Sequence, residues 1–253
     1  MEYSKIPVAK ISGSGRITVP NYGLFKISGS GRISPQEIVT SGSCQIPGGL
    51  RVGDLCGSGS VQIDGDITSE SVRFSGSTKI AGSLKCDKFE GSGSIRIVKD
   101  FSAIQARLSG SSNIDGAGTF EREFDASGAV MFGGDLVSED KIRYSGVMRV
   151  EGMVKSKSFE ARLSRDESYV DGGIEAAYVN IQLDHGDWRS LGQLRTTDIV
   201  GDEIILENVE CSNVRGRKVT ILGGCTIKGN VDYAETISVS PSSVLSKEPN
   251  KVD

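Results

Sequence analysis

The chain has 253 residues, a formal net charge of −4 and only 6% aromatic residues, against 33 glycines. That length allows a large core, but so much glycine argues against a helical enzyme and suits a chain that turns often. The acidic balance argues against bulk affinity for nucleic acid, which needs a clustered positive field.

In chain order, residues 1–10 form a short leader of mixed polar and apolar residues, without the apolar core of a signal peptide. From Ile11 a phrase keeps returning. Ser-Gly-Ser or a near variant begins at Ser12, Ser28, Ser41, Ser58, Ser75, Ser92 and Ser109, then decays to Ser127-Gly128 and Ser145-Gly146. From Ser58 through Ser145 the steps are 17, 17, 17, 18 and 18 residues, and the copy between Ser28 and Ser41 is short. A repeat of this size cannot bury its own apolar side chains; it becomes stable only by stacking on its neighbours.

Around the phrase, one position is always apolar: Ile17, Ile33, Ile46, Ile63, Ile80, Ile97, Ile114, Phe132, Val150, Val170. A second holds Gly48, Gly65, Gly82, Gly116, Gly134, Gly152 and Gly172, with Lys99 as the main exception. Short alternating stretches rich in Ile, Val and Phe, cut by Gly, read as strands and tight turns. The pattern predicts an all-β chain, a single parallel β-helix or solenoid with about 17–18 residues and three short strands per coil, like positions stacking about 4.8 Å apart. Ile67, Phe74, Leu84, Phe89, Phe101, Ile104 and Leu108 are expected in its core. The second glycine position is expected at corners that need φ > 0, with Ser beside it bonding nearby backbone.

Regular coils are expected over residues 11–183 and diverged coils over 184–240, where the clearest strand segments are 202–208, 218–224 and 225–230. Residues 241–253 read as a flexible tail. The junction at Leu183 carries the only histidine, His185, and the only tryptophan, Trp188, both read as structural or solvated. Cys44, Cys56, Cys86, Cys211 and Cys225 are odd in number and lack CxxC spacing. They read as small buried thiols of a reducing cytoplasm, not as a disulfide framework or a zinc site.

These residues carry a family resemblance. The Ser-Gly-Ser-x-x-Ile-x-Gly coils over residues 11–183, and the closing segment from Ile199 through Val214-Arg-Gly216 and Val219 to Cys225 and Tyr233, resemble the bactofilins, the polymer-forming cytoskeletal proteins, in their long variant. The resemblance implies a right-handed β-helix whose protomers join end to end into non-polar filaments without a bound nucleotide. It also implies roles in cell shape and in localising other proteins, often near the membrane. Many relatives carry a short apolar membrane tag at the start; here Lys5 and Lys10 interrupt Ile6, Pro7 and Val8.

The residues lead to a similar function by another route. A β-helix ends in strand edges with unpaired N–H and C=O groups, and such an edge needs a cap or templates another chain. The apolar residues nearest the ends are Ile6, Val8 and Ile11 at the front and Ile227, Val231, Ile237 and Val239 at the back. They are the candidate polymerisation residues, and the expected partner is the protein itself, with other cytoskeletal or membrane-associated proteins as further partners. The position before the apolar spine carries Arg16, Arg32, Lys79, Arg96 and Arg149, a candidate column for an anionic partner. The competing readings are a β-helical carbohydrate-active enzyme, a glycan-binding module and a monomeric adaptor. Asp64, Asp115 and Asp171 share one position but serve turns, and no phosphate-loop ending follows the Gly-Ser runs. No catalytic residue, metal site or cofactor is assigned, and a cytoplasmic location, peripheral to the inner face of the cell membrane, is expected.

Overall fold

Each coil must turn three corners within 17 residues, and the sequence supplies a different device at each. The computed structural model describes residues 2–184 and 192–252, so His185 and Trp188 lie outside the described residues. The described residues form strands and no helix, in two compact units, 1–118 and 119–253. Each unit is a β-solenoid built mainly from parallel stacked strands.

In the first unit the strands are β1 (Ala9–Val19), β2 (Gly23–Ile33), β3 (Glu37–Ile46), β4 (Leu50–Ile63), β5 (Ile67–Ile80), β6 (Leu84–Ile97) and β7 (Phe101–Ile114). From β3 to β7 they stack parallel, so that Ile46, Ile63, Ile80, Ile97 and Ile114 form one buried row. In β5, Ile67, Ser69, Val72, Phe74, Thr78 and Ile80 face inward. The alternation breaks once at Glu70-Ser71 and again at Ser75-Gly76-Ser77, where three residues in succession face outward. Gly76 sits at φ 103, a backbone that a Cβ disfavours, and this is what turns the second corner. Gly42, Gly59, Gly93 and Gly110 repeat it at φ 90, 101, 103 and 96.

The third corner corrects an expectation. Gly65, Gly82 and Gly116 are not among the positive-φ residues; the left-handed backbone belongs to the Ser-Gly-Ser glycines instead. Gly82 is required by crowding, because a Cβ there would overlap the backbone of Gly65 and Asp66 in the preceding coil. Aspartate, more than serine, ties this corner: Asp66 accepts a hydrogen bond from Ser83 N at 2.7 Å and Asp100 one from Ala117 N at 3.0 Å.

Core packing in this unit alternates in size. Gly57, Phe74, Gly91 and Leu108 stack in one row; Phe74 lies in the room that Gly57 leaves, and Ile95 and Phe89 fill the space beside Gly91. Phe74 meets Phe89 edge-on at 6.3 Å and Phe89 meets Phe101 at 5.0 Å, a favourable arrangement for ring quadrupoles. Ile104, expected in the core, is half-buried at a corner, and Ala103 and Ala106 point inward in its place.

The start of the coil region also differs from the expected parallel stacking. β1 and β2 are an antiparallel hairpin, Gly13 opposite Gly29, and β2 runs antiparallel to β3, Gly29 opposite Gly42. Three residues, 20–22, join β1 to β2, with Asn21 at φ 67. A connection so short reverses the chain, whereas a parallel return needs a crossover of a dozen or more residues or a full coil. The leader is fastened to this unit. Ser4 exchanges hydrogen bonds with Arg51, its N donating to Arg51 O (2.8 Å) and its Oγ accepting from Arg51 N (2.9 Å), and Tyr3 Oη donates to Glu70 (2.6 Å).

In the second unit β8 (Gly118–Phe132), β9 (Leu136–Ser138), β10 (Lys141–Val150), β11 (Val154–Leu163), β12 (Ser168–Val170) and β13 (Ile174–Leu183) continue in parallel ladders. They are followed by β14 (Leu194–Thr196), β15 (Asp198–Leu206), β16 (Val209–Cys211), β17 (Asn213–Ile221), β18 (Thr226–Ile227) and β19 (Val231–Val239), again parallel. Phe124 packs edge-on against Phe132 at 5.4 Å, and Phe159, Val179, Ile204 and Val219 stack as one buried row. The residues read as a flexible tail form β20 (Val244–Leu245), paired with β18, and β21 (Asn250–Lys251), paired with β19. Ser243 Oγ accepts from Cys225 N at 3.0 Å and fixes the approach of β20.

Candidate assembly edges and a basic groove

Open strand edges occur at β1 and at β19, β20 and β21. Among the described residues, β1 is paired along one edge only, with β2. Gly13, in the middle of β1, marks how open the other edge is. At Gly42, Gly59, Gly76, Gly93 and Gly110 an added Cβ would overlap a carbonyl oxygen of the preceding strand. At Gly13, with φ 92, it would meet nothing within 4 Å. In the second unit, β19 is paired to β17 along one side, but on the other only Asp232 and Tyr233 are covered, by β21. The outer part of β19 loses the inward–outward alternation: Ile237 is half-buried and Val239 is 37% exposed.

The candidate polymerisation residues therefore divide. Val8 (82% exposed) and Val239 are exposed, and Ile11 and Ile237 are half-buried beside the open edges. Ile6, Ile227 and Val231 are buried within their own units, so their side chains are core and are not offered to another molecule. The glycine that marks the edge was not among the candidates, although Gly13 is the first of its row in the sequence and has no preceding copy to stack on.

The basic column is rearranged by the reversal of β2. In the first unit the row reads Arg16, Lys26, Gln45, Gln62, Lys79, Arg96 and Asn113. Arg32 falls outside it, opposite Lys10 and Val39, and its guanidinium pairs with Glu37 at 3.2 Å. Reversing the strand exchanged Arg32 for Lys26, which alternation in Leu24-Phe25-Lys26-Ile27 would have flagged once the strand direction was known. Arg96 is paired with Asp115 at 3.0 Å, whereas Arg16, Lys26 and Lys79 make no ion pair among the described residues. Arg149 belongs to the second unit, beside Met131 and Tyr169, with its guanidinium 5.9 Å from the Tyr169 ring.

Beside the first half of this row runs a groove of about 630 Å³. Arg16, Lys26, Gln45 and Gln62 form one wall and Ser14, Ser28, Ser43 and Ser60 the other, while Ile27 and Cys44 form the floor. Both walls exist because residues two apart on a strand face the same side, and the one between them turns inward. Gln45 and Gln62 donate their Nε2 groups to the same carboxylate, Asp64, at 2.5 and 2.7 Å.

Asp64 and Asp115 are thus engaged in side-chain bonds, with the two glutamines and with Arg96. Among the described residues no three His, Cys, Asp or Glu side chains converge as metal ligands. Cys44, Cys86, Cys211 and Cys225 are buried free thiols and Cys56 is half-buried. Burial pushes the Cys86 and Cys211 thiols up to about 12, and Cys44, Cys56 and Cys225 in the same direction. Nucleophilic thiols need the opposite shift. Among the described residues no helix is long and apolar enough to cross a membrane. Comparisons with protein-family models, with curated proteins and with solved structures find no match to this chain.

Proposed function

We propose that this protein is a non-enzymatic scaffold of the bactofilin kind, which joins copies of itself through open strand edges into nucleotide-independent filaments. Its role is in cell shape, or in placing other proteins on the inner face of the cell membrane. The observation that supports this reading is the empty flank of Gly13. Gly42, Gly59, Gly76, Gly93 and Gly110 each abut a carbonyl of the preceding strand, and β1 keeps the same left-handed backbone at Gly13 with that neighbour missing.

A second copy fits the gap by symmetry. Gly29 and Gly42 face each other across the antiparallel β2–β3 pair, each lying against the other strand's backbone. A partner β1 laid antiparallel, Gly13 against Gly13, repeats that pair across a two-fold axis and gives an isologous junction. The outer edge of β19 supplies a second junction of the same type, and alternating the two makes a filament without polarity.

Negative-stain microscopy of untagged protein without nucleotide tests the reading. Thin filaments are expected from the natural sequence, and Gly13→Ala is expected to stop growth at short particles joined only at the remaining edge. The variant should stay folded, since its methyl group enters open space and the left-handed backbone costs about 1–2 kcal/mol. Sedimentation as a monomer at every salt concentration would sink the scaffold reading. Unaltered filaments from Gly13→Ala would move the junction away from β1.

A further inference from the structure

The groove on the first unit has a distribution of charge and hydrogen-bonding groups that its fold does not use. At the β1–β2 end, Arg16 and Lys26 are adjacent, exposed and without an ion pair among the described residues. At the β3–β4 end, the glutamine amides are drawn onto Asp64, which leaves carbonyl oxygens and one carboxylate as acceptors. Along the opposite wall each strand contributes one serine hydroxyl, which can donate and accept, at strand spacing of about 4.8 Å.

We propose that this groove binds an acidic oligosaccharide running across β1 to β4, its carboxylate between Arg16 and Lys26 and its neutral, hydroxyl-bearing units over Ser43, Ser60 and the glutamines. Three observations select that ligand class. A carboxylate between two unneutralised cations gains charge-assisted hydrogen bonds from both. A chain with an anion on every unit, such as polyphosphate or nucleic acid, would set its far charges against Asp64. No aromatic ring lines the groove, so neither wall offers the stacking platform that unpaired bases use. An extended sugar chain also advances per residue by nearly the strand spacing, so successive hydroxyls meet successive serines. The inference does not depend on filament formation.

Isothermal titration calorimetry tests it, with a tetrasaccharide of three N-acetylglucosamine units ending in a single glucuronate as the probe. Saturable binding is expected. Lys26→Ala and Arg16→Ala should each weaken it about tenfold, the size of one hydrogen bond to a charged group, and Lys26→Arg should retain it. Lys79→Ala, beyond the groove, should leave it unchanged. All three side chains are exposed, so folding is preserved and circular dichroism checks it. Absence of saturable binding overturns the proposal, as does binding indifferent to Lys26→Ala. Equal affinity for the neutral N-acetylglucosamine tetramer overturns the carboxylate assignment. Tighter, Lys26-dependent binding of polyphosphate or of phosphatidylglycerol vesicles overturns the sugar assignment.

Discussion

Two glycines with almost the same backbone do different things because of what lies beside them. Gly76 (φ 103) is enclosed by the carbonyl of Gly59, whereas Gly13 (φ 92) faces open space. Gly76→Ala is therefore expected to combine backbone strain with a steric clash and to cost about 2–4 kcal/mol, roughly twice the cost of Gly13→Ala. Chemical denaturation of the two variants side by side, under conditions that keep both monomeric, reads the difference; equal losses would mean that the stacked carbonyl yields freely. The buried thiols act at the same scale on pH dependence. Cys86 and Cys211 titrate at about 12 when folded, against an ordinary value of 9.0. Below pH 9 both states hold the proton and stability is fully present. Between pH 9 and 12 the unfolded chain releases it first, so stability falls as pH rises, by up to about 1.4 kcal/mol per pH unit for each thiol. The double variant Cys86→Ala/Cys211→Ala should have a lower baseline but a flatter decline across that window.

At the scale of strands, the stacking from β3 to β7 was legible because one 17-residue step returns every inward residue to its row. Direction was not. Ser-Gly-Ser reads the same both ways, and Ile11–Ile17 and Ile27–Ile33 are identical heptads that nonetheless lie antiparallel. Only the three residues joining β1 to β2 disclosed the reversal, and with it the presence of Lys26 in the basic row and of the groove beside it. The two kinds of glycine could not be told apart either, since crowding and a left-handed backbone select the same residue. β20 and β21 were hidden for another reason: two residues are too few to show a period, and their pairing rests on backbone groups that every sequence has. Removing residues 241–252 takes away β20, β21 and the Ser243 Oγ bond to Cys225 N. A loss of about 1–3 kcal/mol is expected, the size of one or two unpaired buried groups, and hydrogen exchange should quicken at Cys225 and Tyr233 before it does in β15. Unchanged exchange there would mean that the last strands merely lie on the surface.

At the scale of the whole molecule, a net charge of −4 conceals a basic margin. Lys10 and Arg16 lie on β1 itself, opposite Arg32 and Lys26. In the proposed two-fold junction, Arg16 of one copy faces Lys10 of the next, and like charges at strand distance repel. Assembly through β1 should therefore strengthen as salt rises from about 20 to 300 mM, over which screening shortens from roughly 20 Å to below 8 Å. Light scattering against salt checks this, and Lys10→Ser should shift the onset to lower salt. Assembly that weakens with salt would place the controlling contact elsewhere.

The alternation of Gly57, Phe74, Gly91 and Leu108 also bears on how such a chain can be shortened. Asp66 and Asp100 tie alternate corners with the same two-coil rhythm, while Ser83 and Ala117 donate from the coils that follow them. The visible period is one coil, but the interchangeable part is two. Excising residues 67–83 would bring two glycines together over a void and set Asp66 beside Asp100. Excising residues 67–100 would bring Gly57 under Leu108 and Asp66 to Ala117, as neighbours of the right kind. Within β4 to β7, excising 34 residues is therefore expected to cost less stability than excising 17, and thermal unfolding of the two shortened chains reads the difference.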